Sequence, residues 1–200
     1  MPPNPRPGSL PGVIGPSLLR PLYQSFDPDS VTELHAARLL ILLAVCGDGS
    51  PRQIKGRTKL VKLDFFLRYP RFLERALSVL SARGFAVEPF RADAAEVEAP
   101  MIRYRYGPWD PRYGDFIAFL EARGLVRVVG SRVETFQLTA LGAAAARRIL
   151  GLNEFADLRH RAQAAALPLA SQSGNALKDL IYEIFPLEVG SLQLREQIRG

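Results

Sequence analysis

Apolar residues recur at helical spacing in seven stretches of the chain, and these stretches are separated by breaks that contain glycine or proline. At the first helix, Ser30 and Glu33 form a capping-box pattern. Between residues 85 and 100 the pattern is weak, which favours a loop or an irregular segment. The predicted helices cover about 30–46, 56–69, 70–82, 111–123, 139–150, 152–166 and 174–185.

Alternation of apolar and polar residues predicts three short strands. Residues 101–106 form the first strand, which ends in a turn at residues 107–111. Residues 125–129 and 133–138 form the other two, joined by a two-residue hairpin at Gly130-Ser131. The inward-facing side chains of this hairpin are Leu125, Val128, Phe136 and Leu138.

The run FIAFLEARGLVRVVGSRVETFQLTALGAAAARR resembles the recognition helix, wing and closing helix of a winged helix-turn-helix domain. Gly124 ends the first helix of this run and Thr139 caps the second. The predicted fold is therefore mainly α with a small β-hairpin, a winged-helix core and further C-terminal helices. A shorter match between residues 80–87 and 120–127 leaves a second wing open.

Composition suggests three regions. Residues 1–22 hold seven of the sixteen prolines, so residues 1–29 are predicted to form a flexible tail, or a strap that docks on a partner. Residues 30–150 form the predicted winged-helix domain. Residues 151–200 form a C-terminal helical segment for partner binding or dimerisation. Its amphipathic stripe either packs on the protein's own core or docks in a partner's groove: Leu177, Leu180, Ile181, Ile184 and Phe185.

Composition also argues against several classes of protein. The single Cys46 rules out an intramolecular disulfide, and with only His35 and His160 we expect no metal site. The chain shows no nucleophile elbow, phosphate loop or dinucleotide-binding motif, so we expect no enzymatic activity and no cofactor. A signal peptide and a long apolar span are missing from the pattern, which favours a soluble, cytoplasmic protein.

The net charge of +6 equals the charge of one short segment. Residues 52–75 carry eight basic residues against two acids, and the rest of the chain is balanced. Such a segment predicts a surface for a polyanion or an acidic partner, with Asp64 as a structural partner of Arg57 or Arg68. The predicted binding residues are Arg52, Lys55, Arg57, Lys59, Lys62, Arg68, Arg71 and Arg75.

The predicted recognition helix carries no such charge. Its charged residues are Arg112, Asp115, Glu121 and Arg123, and it has no Asn or Gln to reach base edges. The basic segment therefore fits sequence-independent DNA contact, or docking to an acidic subunit, better than operator reading.

A cluster of aromatic residues lies just before this helix. Tyr104, Tyr106 and Trp109 either stack on nucleic-acid bases or pack a turn, in which case Trp109 should be buried or half-buried.

The segments GRTKLVKLDFFLRYPRFLERAL and YRYGPWDPRYGDFIAFLEARGLVRV resemble the middle component of ABC-three-component systems, bacterial anti-phage defence operons related to Lamassu. The resemblance covers about residues 31–150. It implies a non-enzymatic winged-helix adaptor that bridges an SMC-like ATPase and an effector through protein–protein interactions and contacts double-stranded DNA. A weaker likeness, through TKLVKLDFF and YGPWD, is to the winged-helix-like domain of certain antitoxins. The alternative is a stand-alone transcriptional regulator that binds an operator as a dimer.

Overall fold

The computed structural model describes residues 31–92, 101–105 and 107–198. This part of the chain is mainly helical with two small antiparallel sheets, which confirms the predicted class at that level. The predicted tail, residues 1–29, and the capping residue Ser30 lie outside it. The helices are α1 Thr32–Cys46, α2 Arg57–Arg68, α3 Pro70–Ala82, α4 Tyr113–Ala122, α5 Ala140–Leu150, α6 Ala156–Ala166 and α7 Gly174–Ile184. The strands are β1 Gln53–Lys55, β2 Ile102–Tyr104, β3 Gly107–Trp109, β4 Val126–Val129 and β5 Thr135–Leu138. Asn153–Phe155 forms a 3-10 turn, and Pro186–Gly190 a π-helical turn.

The larger sheet has the strand order β1-β5-β4. Ile54 pairs with Phe136, and Val126 pairs with Leu138, and all four of these side chains are buried. The predicted two-residue hairpin is wrong, because the last pair of the β4–β5 ladder is Val129 with Thr135 and the loop covers residues 130–134. The sequence pattern also missed β1, whose three residues are too few to show an alternation.

The smaller sheet joins β2 and β3. The predicted turn at residues 107–111 is wrong over its first three residues, which form β3. A segment near the C-terminus then runs along the outer edge of β2. There the Arg103 amide donates to the Glu196 carbonyl, and the Ile198 amide donates to the Met101 carbonyl, both at 2.7 Å. This edge is therefore covered.

The matching segments 80–87 and 120–127 share a helix ending. The Phe85 amide donates to the Leu80 carbonyl at 3.1 Å, and the Leu125 amide donates to the Leu120 carbonyl at 2.9 Å. Both bonds follow a glycine with a positive φ, as in a Schellman motif. A strand follows only after the second ending, since residues 85–92 contain none. The match therefore does not mark a second wing within those residues.

One hydrophobic core joins the helices on both sides of residue 150. Helix α6 packs on α1, and α7 packs on α2, so the C-terminal segment contributes to the same core as the predicted winged-helix domain. Of the two alternatives for the amphipathic stripe, packing on the protein's own core is the one observed, so the stripe is not a free docking surface. The buried side chains are Leu177, Leu180, Ile181, Ile184 and Phe185.

Candidate nucleic-acid interface

Two of the eight cations in the basic segment lie in the protein interior. Lys62 is 2% exposed and Arg68 is 1% exposed. The Lys62 Nζ donates to the Pro108 carbonyl at 2.6 Å, and an Arg68 guanidinium nitrogen donates to the Asp110 carboxylate at 2.9 Å. A cation removed from water needs partners of this kind. The prediction of an exposed cationic surface is therefore wrong for Lys62 and Arg68.

Within the described residues, at least three of the six remaining cations pair with acids that lie outside the basic segment. The pairs are Arg57 with Glu134 (2.6 and 2.7 Å), Arg75 with Glu188 (2.8 Å) and Lys59 with Asp48 (3.9 Å). Arg52 is exposed and donates to the Gly47 carbonyl at 2.6 Å, while Lys55 and Arg71 are exposed on β1 and α3. A charge run that is continuous in sequence therefore does not form one continuous cationic patch.

Asp64 is fully buried where α1, α2 and α4 meet. Arg38 of α1 donates to both carboxylate oxygens, at 2.6 and 3.2 Å, and the Tyr113 hydroxyl of α4 donates to one of them at 2.5 Å. Burial alone would raise the pKa of Asp64. The positive charges of Arg38 and Arg68, together with these hydrogen bonds, more than offset burial, so the pKa is lowered and the carboxylate stays ionised.

Asp64 was predicted to be a structural partner of Arg57 or Arg68. Of these two alternatives Arg57 is excluded, because it pairs with Glu134. Arg68 lies close enough to lower the pKa of Asp64 while its guanidinium donates to Asp110. The sequence pattern missed Arg38, because this arginine sits within the most apolar helix of the chain.

A second buried carboxylate, Asp110, fixes the segment between β3 and α4. It accepts hydrogen bonds from Arg68 at 2.9 Å and from the Arg112 guanidinium at 2.8 and 3.1 Å. Burial would raise the pKa of Asp110, but the hydrogen bonds from Arg112 and Arg68 lower it well below its usual range. The interior cations thus position α4 and the β2–β3 hairpin on α2, which is a structural role.

The outer side of the larger sheet is polar apart from Val129, and its strand residues include no acid. We define the sheet face by the outward-facing residues Gln53, Lys55, Arg127, Thr135 and Gln137. Gln137 stands between Gln53 and Arg127 in the strand register, and its amide donates to the Gln53 side-chain oxygen at 2.7 Å. Lys55 and Arg127 are exposed, and within the described residues neither cation has an acidic partner at ion-pair distance.

Strand alternation explains why these residues share one side. Successive side chains of a strand point to opposite faces, and the buried set of this sheet is Ile54, Phe136, Val126 and Leu138. Each residue of the sheet face lies next to one of these along its strand. The three strands therefore present cations and amide groups on a common outer surface, where neighbouring strands lie about 5 Å apart.

Helix α4 presents the opposite charge to solvent. Its exposed charged side chains are Asp115 and Glu121, and its other exposed residues are Gly114, Ala118 and Ala122. The Glu121 carboxylate also accepts a hydrogen bond from the Val128 amide at 3.1 Å. Arg112 and the exposed Arg123 flank the helix, so this surface has no excess of positive charge to attract phosphate groups.

The aromatic residues before α4 divide between surface and core. Tyr104 is 44% exposed, Trp109 is half-buried as predicted, and Tyr113 is fully buried with its ring 5.4 Å from that of Trp109. Tyr106 lies outside the described residues. A cavity of about 230 Å³ opens beside Tyr104 and Trp109, and its other lining residues are Arg57, Thr58, Lys62 and Gly107.

Comparison with protein-family models, curated proteins and solved structures gave no significant match. In the described ranges, no three His, Cys, Asp or Glu side chains come together as a metal-binding group. His35 is buried and its ring stacks on Phe116 at 4.4 Å, so it belongs to the core. Among the same residues, no helix is long and apolar enough to cross a membrane.

Proposed function

We propose that this protein is a non-enzymatic winged-helix binding subunit whose sheet face contacts nucleic-acid phosphates without reading the sequence. The observation that carries the proposal is the sheet face itself. It combines two cations that have no acidic partner within the described residues with three neutral hydrogen-bonding side chains. Lysine and arginine supply the charge that phosphates require, and Gln and Thr side chains also donate to phosphate oxygens.

The topology supports the winged-helix part of the proposal. The chain order α1, β1, α2, α4, β4, β5 and the strand order β1-β5-β4 suit a winged helix in which α4 is the third helix and β4–β5 the wing. Helix α3 and the β2–β3 hairpin then form an insertion between the second and third helices. The buried contacts of Asp64 join all three helices of this arrangement.

Helix α4 supports contact that is independent of base sequence. In DNA-reading domains of this kind the third helix enters the major groove and presents donors to base edges. Here the charges of that helix and its two caps balance, and its exposed side chains include no Asn, Gln or Lys that would reach base edges, whereas the sheet face carries two cations and no acid. This charge distribution favours an adaptor that touches the DNA backbone over a regulator that recognises an operator.

We further propose that the subunit works within an SMC-like ATPase complex of anti-phage defence, bridging ATPase and effector. This step rests on the resemblance of residues 56–77 and 104–128 to middle components of such systems. Co-expression with the products of neighbouring genes tests it. A stable complex that contains a large coiled-coil ATPase would support the adaptor. A lone dimer that protects one defined operator would contradict it.

Fluorescence anisotropy with two labelled 20-bp duplexes of unrelated sequence tests the sheet face directly. We expect similar affinity for both duplexes and at least a tenfold loss in the double variant K55Q/R127Q. The matched control is R147Q/R148Q, which removes the same charge from the exposed last turn of α5. Its affinity should change less than twofold. Equal losses in both variants, or a strong preference for one duplex, would refute the proposal.

A further inference from the structure

The cavity between α2 and the β2–β3 hairpin has the composition of a small-ligand site. Its volume of about 230 Å³ is below the roughly 300–1,000 Å³ of pockets that enclose drug-sized molecules, so a ligand of that size would be enclosed only in part. Its described lining consists of two cations, two aromatic rings, a hydroxyl group and a glycine, with no acidic residue among them. Arg57, whose guanidinium pairs with Glu134, lies at its margin.

Lys62 is the buried polar group of this cavity. It is 2% exposed, and within the described residues its ammonium has one hydrogen-bond acceptor, the Pro108 carbonyl. An ammonium group has three donors, so two have no acceptor within the described residues. Gly107 permits the close approach of β3, because its φ is +90° and a Cβ there would lie 3.3–3.4 Å from the end of the Lys62 side chain.

The aromatic residues form the outer wall. The Tyr104 and Trp109 ring centroids are 6.1 Å apart with a 32° tilt, so the two rings already touch and no ring fits between them. A ligand ring would instead lie against the exposed side of Tyr104, with its acidic group directed at Lys62. Stacking of this kind accepts any flat ring, while the buried ammonium selects an anion.

We propose that this cavity binds a small aromatic anion of the nucleoside monophosphate class, with its phosphate at Lys62. The site is separate from the sheet face and does not depend on the proposed function. The same chemistry is available in a free nucleotide and in the 5′-phosphorylated end of a single strand.

Binding should be linked to protonation of Lys62. Burial, and then repulsion from Lys178, lower the pKa of Lys62 to about 7 in the empty site. The groups that face it are Lys178 and Tyr182 of α7, the Gly107-Pro108 backbone of β3, Tyr104 of β2 and Arg57 of its own helix. A phosphate stabilises the ammonium form, so binding above pH 7 takes up a proton. Affinity should therefore fall as pH rises, by up to about tenfold per pH unit.

Trp109 is the only tryptophan of the chain and lines the cavity, so its fluorescence reports binding. Titrations would use AMP and UMP at pH 7.0 and 8.5. Adenosine, which lacks the phosphate, and inorganic phosphate, which lacks the nucleoside, serve as the half-ligand controls. We expect saturable changes with the monophosphates and at least tenfold weaker responses to either half-ligand. A 5′-phosphorylated oligonucleotide that binds more tightly than AMP would identify strand ends as the source. No saturable response to either monophosphate would overturn the proposal.

Two variants complete the test. K62M keeps most of the length of the side chain and removes the amine. We expect its AMP affinity to be at least tenfold lower and to be independent of pH. Y104A changes an exposed residue, so it keeps the test valid if K62M does not fold, and we expect about a fivefold loss. K55Q/R127Q should bind AMP normally, and Y104A should bind duplex DNA normally, which separates this site from the sheet face. Unchanged AMP affinity in Y104A and in folded K62M would refute the site.

Discussion

The Arg38 Nε lies 2.6 Å from the Asp64 Oδ1, and this buried contact ties the first helix to the second. The Tyr113 hydroxyl of α4 donates to the same carboxylate, which ties α4 to the other two helices. Because all three groups are removed from water, each depends on the others for its hydrogen bonds. The relative positions of the three central helices therefore depend on one carboxylate.

Replacement of Asp64 by Asn should strongly destabilise the protein. The amide keeps the shape of the carboxylate but leaves the Arg38 guanidinium buried without its counter-charge, which costs about 3–5 kcal/mol in unfolding free energy. Urea denaturation would measure this loss. The control is R57Q, which breaks an ion pair in which both side chains are more than a third exposed, and should cost about 1 kcal/mol or less. Comparable losses in the two variants would contradict the expectation.

The low pKa of Lys62 gives stability a distinct dependence on alkaline pH. Its unfolded value is near 10.5 and its folded value is about 7, so between these values the unfolded chain binds the extra proton. The free energy of unfolding should therefore rise from pH 7 toward pH 9, by at most about 1.4 kcal/mol per pH unit. Above pH 9 the buried Cys46 thiol, whose pKa is raised to about 12, acts in the opposite direction. Below pH 7 this contribution is constant, because the group is protonated in both states.

Urea titrations at pH 7, 8 and 9 would measure this slope, with K62M as the comparison. The variant lacks the titrating amine and should show a flatter profile over the same range. A wild-type protein whose stability falls steadily over this range would show that Lys62 is protonated in the folded state.

Two helical glycines should respond to alanine in opposite directions. At Gly142 of α5 a Cβ would lie 1.8 Å from the Leu125 carbonyl oxygen, so G142A must move the start of α5 away from the β4–β5 hairpin. We expect a loss of about 2–3 kcal/mol or more. At Gly114 of α4 nothing lies within 4 Å, and G114A should stabilise by up to about 1 kcal/mol. Thermal melting would distinguish the two, and a stable G142A would contradict this packing.

The salt dependence of DNA affinity should report how many phosphate contacts the sheet face makes. Each cation that neutralises a phosphate contributes about 0.9 to the slope of log affinity against log salt concentration. K55Q/R127Q should therefore lower this slope by about 2, whereas R147Q/R148Q should leave it unchanged. A slope that stays constant in K55Q/R127Q would show that these cations make no phosphate contact.

The thiol of Cys46 should report global unfolding. It is 3% exposed, and burial raises its pKa to about 12 in spite of Lys59 and Arg52 nearby. Because the thiolate is the reactive form, a thiol reagent at pH 8 should label the native protein only as fast as it unfolds. Labelling should accelerate with urea in step with the loss of helical circular dichroism. Complete labelling within minutes in native buffer would contradict this burial.

The sequence predicted the helices well because helical periodicity is a local property. Each observed helix begins and ends within a few residues of its predicted bounds, and Thr139 caps α5 as expected, accepting from the Gly142 amide at 2.9 Å. The strands were harder to predict. β1 is defined by its pairing with β5 rather than by its own three residues, and the Gly107-Pro108 pair, typical of a turn, lies in β3.

The candidate site was predicted only in part, for a related reason. The basic segment was interpreted as a surface because its residues are adjacent, but the partners of Lys62 and Arg68 lie 46 and 42 residues away in sequence. Conversely, Lys55 was named as a binding residue, whereas its companion Arg127 was not. The two come together only through β5, which stands between their strands. Side-chain partners and sheet faces are products of tertiary structure, and no local pattern encodes them.

The side-chain contact between Gln53 and Gln137 spans 84 residues. Closing a chain segment of that length costs about 4 kcal/mol in entropy, so β1 is expected to join the sheet late in folding. Until β1 pairs with β5, Lys55 and Arg127 have no fixed position relative to each other. The proposed nucleic-acid surface is thus a product of completed folding, and we expect a partly folded molecule to bind DNA more weakly than the native protein.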